Sequence, residues 1–200
     1  MCRQTPAYSM TFSGLDISCQ DWEERQYRDC IFTSCRFEDA RLHRCVFEKC
    51  RFISCAFQGT ELVACGFLNC EFRFSTLFAT RFERCKMTGS SLVYADCRCF
   101  TLEGGDWSYT DLREVDLSHQ TMENVNFYGA DLTGCRIEKS TLRDCNFTEA
   151  RLSNARFCES DLRGSKLEGI DVLGIEWKNA KIDLAQAVLL AEALGAKYLP

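Results

Sequence analysis

Proline is almost missing from this chain, with two in 200 residues, and histidine is equally scarce at two. Together with only twelve glycines, this excludes a collagen-like or proline-rich disordered protein. No hydrophobic run approaches the ~20 residues that a membrane-spanning helix requires, so no membrane partner is expected. The opening MCRQTPAYSM lacks the apolar core of a secretory signal, and the expected location is cytoplasmic. Surplus basic charge is also missing. The 24 Lys and Arg residues face 29 Asp and Glu, a formal charge of −5, which argues against direct nucleic-acid binding and for a basic partner.

What is plentiful is cysteine, at 15 residues. An odd number without an export signal does not read as a disulfide scaffold, so the spacing has to explain it.

That spacing is five. From Phe12 through Phe32, Phe52, Phe72, Leu92, Leu112, Leu132, Leu152 and Val172 to Ile182, all 35 positions in this frame are hydrophobic. At a hydrophobic content of 46% the chance of such a run is roughly 10⁻¹². Two residues before each of these centres a small residue recurs, as at Cys30, Cys35, Ala40, Thr60, Ser75, Ala130 and Ser160. The other three positions are mostly polar. A helix would carry a five-residue step around its circumference, and a strand would send alternate centres to opposite faces. A coil of four short sides, one pentapeptide per side and twenty residues per turn, keeps every centre inside.

The runs CRFED, CVFEK, CRFIS, ADLTG, CNFTE, ARLSN and SDLRG resemble the A(D/N)LXX units of the pentapeptide-repeat family. The resemblance implies an all-β solenoid, a right-handed quadrilateral β-helix with centre and small residue inside and successive coils ~4.8 Å apart. The expected organisation is an N-terminal cap segment over 1–11, the β-helix over 12–182, and a capping or dimerisation helix with its tail over 183–200. In this geometry ten cysteines (30, 35, 45, 50, 55, 65, 70, 85, 135 and 145) fall at the small inward position as packing residues. Parallel inward thiols do not make disulfides, and the spacing is not that of a zinc site. Cys97 and Cys99 are the least explained pair, without a second pair nearby. Cys97 is small where a large centre is expected and Phe100 large where a small residue is expected, as if two volumes had been exchanged. His43 and His119 fall outside, without a nucleophile beside them. Gly104 and Gly105 form no phosphate-binding motif; they ease a bend or a close contact. Neither a catalytic site nor a cofactor is expected.

Between Glu103 and Asp131 seven acids (Glu103, Asp106, Asp111, Glu114, Asp116, Glu123, Asp131) face only Arg113 in sequence. With Glu83 and Asp96 they define a candidate acidic surface. One reading is a solubilising exterior; the other is a substitute for the phosphates of DNA. Phe74, Phe78, Val93, Tyr94, Tyr109 and Tyr128 fall at outward positions, solvated, packed on neighbours, or forming a contact patch. After Ile182, Asp183 reads as the N-cap of a helix ending before Gly195. Gln186 and Glu192 are its clearly polar residues. Leu184, Val188 and Ala191 form one apolar line, and Ala187, Leu190 and Leu194 another. These either cap the solenoid or pair with a second copy.

The ending DLRGSKLEGIDVLGIEWKNAKIDLAQAVLLAEALG and the uninterrupted repeat resemble the Qnr-, McbG- and MfpA-type pentapeptide proteins. That resemblance implies a non-enzymatic homodimer whose acidic surface binds DNA gyrase, with topoisomerase IV as a second target, and protects the topoisomerase from poisons. Qnr-like projecting loops are missing from this sequence. The alternative is a rigid protein-binding scaffold without topoisomerase binding.

Overall fold

In the computed structural model, which describes residues 6–197 and 199, the chain forms two compact units, Met1–Asp111 and Leu112–Pro200. In the first unit short parallel strands repeat at a register of twenty. Ala7–Tyr8, Gln26–Arg28, Val46–Glu48 and Gly66–Leu68 form one ladder, and Thr11–Ser13, Ile31–Thr33, Arg51–Ile53 and Glu71–Arg73 a second. A third contains Asp21–Glu23, Arg41–His43, Glu61–Val63, Arg81–Glu83 and Thr101–Glu103. The fourth side is a column of single bridges through Asp16, Arg36, Ala56, Thr76 and Asp96. We name the sides after their first centres, Tyr27, Phe12, Trp22 and Ile17. Within the segment expected as a cap, Ala7–Tyr8 already pair with Tyr27–Arg28; residues 1–5 lie outside the described residues.

The second unit keeps the register. Thr121–Glu123 pairs with Thr141–Arg143, while bridges join Asp116, Arg136, Arg156 and Glu176, and likewise Thr141, Asp161 and Lys181. Both units are thus built from the expected quadrilateral coils, four pentapeptides to a turn.

The centres from Ile17 to Val172 are all buried. Phe12, Trp177 and Ile182 are only half-buried, against the expectation, because centres at either end of the repeat have a stacking neighbour on one side only. In the first unit the core is an aromatic stack: Phe32, Phe52 and Phe72 lie ring over ring with centroids 5.0 and 4.8 Å apart, flanked by edge contacts from Phe37, Phe47, Phe57 and Phe67. Cys97 and Phe100 are both buried, so the exchanged volumes fit; Phe100 packs at the edge of Phe82 and beside Trp107.

The small inward position does more than leave room. Its side chain donates to the carbonyl of a centre one coil earlier: Cys55 Sγ to Phe32 (3.3 Å), Cys85 Sγ to Leu62 (3.2 Å), Thr60 Oγ1 to Phe37 (2.7 Å) and Ser140 Oγ to Leu117 (2.9 Å). A serine here also accepts, as Ser75 Oγ does from the Cys55 N–H at 3.0 Å and Ser90 Oγ from the Cys70 N–H at 2.9 Å. Each such bond contributes about 0.5–1.5 kcal/mol, which favours Cys, Ser and Thr here beside alanine.

All ten inward cysteines are buried and outside any disulfide. Burial pushes the Cys55 thiol up to about 12 and the Cys145 thiol up to about 11. Of the described cysteines only Cys19 and Cys99 are exposed. Brief alkylation of the native protein with iodoacetamide, followed by peptide mapping, should therefore label Cys19 and Cys99 and leave the ten inward thiols unmodified until denaturant is added. Early labelling of Cys55 or Cys70 would contradict the packing.

The corners explain how a chain turns four times in twenty residues. From Ser9 to Gly169 every residue two after a centre has a positive φ. Most are not glycine, though a left-handed residue with a Cβ costs roughly 1–2 kcal/mol. The corner N–H regains a ladder bond, as from Asp39 to the Gln58 carbonyl (2.9 Å) and from Ser54 to that of Arg73 (2.9 Å).

The C-terminal helix runs over Leu184–Ala193 with Asp183 as its N-cap and Gly195 at φ 88° beyond its end, as expected. The Asp183 carboxylate accepts the Gln186 N–H (3.0 Å), while the Asp183 N–H donates to Gln186 Oε1 (3.0 Å). Gln186, one of the two clearly polar residues of the helix, is buried: its Nε2 donates to the carbonyls of Leu162 and Ser165, both at 2.7 Å. This polar plug fills the orphan acceptors left where the repeat ends, a need invisible in helical periodicity. Leu184, Val188 and Ala191 lie on the side roughly opposite Gln186 at 3.6 residues per turn, and Leu184 and Leu194 are exposed.

Candidate interaction surface

The twenty-residue register decides which acidic residues meet. In the first unit Glu83 and Glu103 are register partners on the Trp22 side. Asp96 lies on the Ile17 side beside Thr76, Asp106 on the Tyr27 side beside Lys86, and Asp111 on the Phe12 side beside Ser91. Five candidate carboxylates thus occupy four different sides. In the second unit Glu123 stands beside Arg143, Asp116 beside Arg136 and Asp131 beside Arg151, each on a different side, with Glu114 at a corner.

Arginines both near in sequence and a full coil away temper this charge. Arg81 bridges the like pair, reaching Glu103 at 2.8 Å and Glu83 at 3.7 Å, and Arg84 also contacts Glu83. Arg98 clamps Asp96 through Nε (2.8 Å) and Nη2 (2.7 Å), and its hydrogen bonds hold that carboxyl below its ordinary value. At Asp116 burial works upward, yet hydrogen bonds from Ser118 and the adjacent Arg136 outweigh it and keep the carboxyl low. Arg151 lies 3.8 Å from Asp131. Counting charge within Glu103–Asp131 found only Arg113 as an opponent because the pairing partners stand outside that window or a full coil apart. Such exposed pairs are each worth about 0–1 kcal/mol and leave the carboxylates accessible to a partner.

Outward aromatics form a second feature. Phe74, Phe78, Tyr94 and Tyr109 are exposed, whereas Val93 and Tyr128 are half-buried. His43 lies 3.4 Å from Glu23, and His119 is an exposed corner residue. Cys97 is buried and Cys99 exposed, so the two do not share a site. Among the described residues there is no group of His, Cys, Asp and Glu able to hold a metal ion, and no helix long and apolar enough to cross a membrane. Gly105 serves a close contact: a Cβ there would stand 2.2 Å from the Cys85 carbonyl oxygen.

Comparison with known proteins agrees with this geometry. The family described as pentapeptide repeats matches residues 110–148 and 142–172, with eight copies, and the SV2A/B/C luminal domain family matches 19–78. A search of curated protein sequences finds no match. Among solved structures the fold is similar to that of full-length QnrB1, a plasmid-mediated fluoroquinolone resistance protein, with a TM-score of 0.60 and 22% identity over 96% of this chain and 100% of that one. It is also similar to HetL, a pentapeptide-repeat protein involved in heterocyst differentiation regulation in the cyanobacterium Nostoc sp. strain PCC 7120, with a TM-score of 0.50 and 16% identity over 87% of each chain. The five-residue sequence period, the four-sided coil with its paired inward residues and these matches together show a pentapeptide-repeat fold similar to that of QnrB1.

Proposed function

We propose that this protein is a cytoplasmic, non-catalytic mimic of DNA that binds DNA gyrase, with topoisomerase IV as a related target, and protects the type II topoisomerase from poisons. The observation that carries this reading is the placement of carboxylates on every side of the coil in the first unit. A DNA duplex likewise offers phosphates all around its circumference, and a basic DNA-binding surface attracts either by the same long-range field. The likeness to QnrB1 along its full length supports the choice of enzyme.

Neutralising Glu103, Asp111, Asp116, Glu123 and Asp131 to Gln or Asn touches no core residue, so the coil should remain folded. Gyrase affinity should fall about ten-fold at low salt, with wild type and variant converging as salt screens the charge, and protection should fall in parallel. DNA added to the mixture should displace the wild-type protein. A folded variant that binds and protects like wild type at every salt concentration would defeat the mimicry reading. The closing of most candidate carboxylates by arginines would then favour a scaffold that recognises another protein through neutral and aromatic surface.

The active form is read as a homodimer through the C-terminal helix, with Leu184, Ala187, Val188, Leu190, Ala191 and Leu194 at the interface. Changing Leu184 and Leu194, both exposed in the single chain, to Lys should leave folding unaltered but convert a dimer into a monomer in sedimentation equilibrium at micromolar concentration. A wild-type protein that already sediments as a monomer removes the dimer from the proposal.

A further inference from the structure

Phe74 and Tyr94 stand one coil apart at successive corners between the Phe12 and Ile17 sides, at φ 55° and 66°. These are 69% and 74% exposed; Phe78, on the Ile17 side, is 42% exposed. Bulky residues at left-handed corners are costly, and corners elsewhere are often Gly, Asp, Asn or Ser. Nothing in the core calls for aromatic rings here. The ladder also departs from its rule at this point: the Phe74 N–H donates to the Tyr94 carbonyl at 3.2 Å, twenty residues on, where the Ser54 N–H takes a carbonyl nineteen residues on.

The two rings stack with centroids 6.0 Å apart at an interplanar angle of 23°. Each turns one face to the other, so what they offer outward is ring edge and one outer face, suited to aliphatic side chains rather than to a sugar or base seeking two open faces. The charges beside them are closed on themselves: Arg73 pairs with Glu71 at 3.0 Å and Arg98 with Asp96 at 2.7 Å. An electrically neutral apolar patch on a chain of formal charge −5 disfavours a nucleic acid, which the chain repels. It suits an apolar projection on a basic protein.

We propose that Phe74, Tyr94 and Phe78 form an apolar anchor for an aliphatic projection on the basic, DNA-binding surface of the partner enzyme. This rests on the gyrase reading above and assigns the short-range contact that charge alone lacks: the carboxylates speed encounter, and the aromatic patch slows dissociation.

The test uses the full-length protein, purified DNA gyrase and the triple variant Phe74→Asn, Tyr94→Asn, Phe78→Gln. Asparagine tolerates the left-handed corner, and Gln58 already occupies the position of Phe78 one coil earlier, so melting should be unchanged or raised. Gyrase affinity should fall at least about ten-fold through faster dissociation, with the salt dependence unchanged. Affinity within two-fold of wild type overturns the anchor while leaving the gyrase reading intact. No binding by wild-type protein overturns both. A difference in oligomeric state between variant and wild type in sedimentation assigns the patch to a second copy and also overturns the proposal.

Discussion

Alanine at position 52 should lower stability by about 3–5 kcal/mol, the cost of removing a large buried ring and leaving its cavity. Phe52 is fully buried. Its ring is the middle member of the Phe32–Phe52–Phe72 stack and also meets Phe37, Phe47, Phe57 and Phe67 at their edges. In-register strands fix the backbone on both sides, so the neighbouring rings have little freedom to collapse into the space. Urea melts followed by circular dichroism measure the loss. Phe127, buried in the second unit with Phe147 stacked on it at 5.2 Å, should show a loss in the same range. A change below about 1 kcal/mol at Phe52 would mean that the stack contributes far less than its burial implies.

Placing alanine at position 105 should destabilise by at least about 2 kcal/mol, although it adds only one methyl group. The new Cβ would lie 2.2 Å from the Cys85 carbonyl oxygen and 3.0 Å from the Cys85 nitrogen, and backbone atoms cannot swing away as a side chain can. Position 105 also has φ +99°, where a Cβ is strained even in open space. Gly66→Ala in the same unit is the control. There the nearest atoms are Val46 methyls at 3.8 Å and the backbone is not left-handed, so the change should be neutral or stabilising by up to about 1 kcal/mol. Equal melting midpoints for the two variants would refute the close-contact reading.

Most of the core was legible because it is written at a single period: a residue's place modulo five tells whether it points inward, and the centres from Ile17 to Val172 obey. The helix was legible because Asp183 and Gly195 carry local stop and start chemistry. Three things were not. The demand for a donor at the small position comes from carbonyls 23 residues earlier, so Cys55 and Thr60 read only as small. The ion pairs of Arg81 and Arg136 join neighbouring coils, beyond any sliding window. Gln186 answers to carbonyls at Leu162 and Ser165 that lack a further coil, and helical periodicity carries no trace of them. The candidate carboxylates were identified individually, but their dispersal over four sides of the first unit follows from the register of twenty, not from their density along the chain.

Inside and outside therefore obey different arithmetic. The interior repeats every five residues and the exterior every twenty, so loss of one pentapeptide would leave every remaining centre facing inward while rotating all later surface positions by a quarter turn. Removing residues 56–60 would take Glu61 from Arg41, which it now meets at 2.8 Å, and set it beside Arg36; Phe74 and Tyr94, both downstream, would stay together. Evolution can thus shuffle the outer columns against one another by trimming or duplicating single units without redesigning the core, and close relatives differing by five residues in length can share a fold while presenting unrelated surfaces.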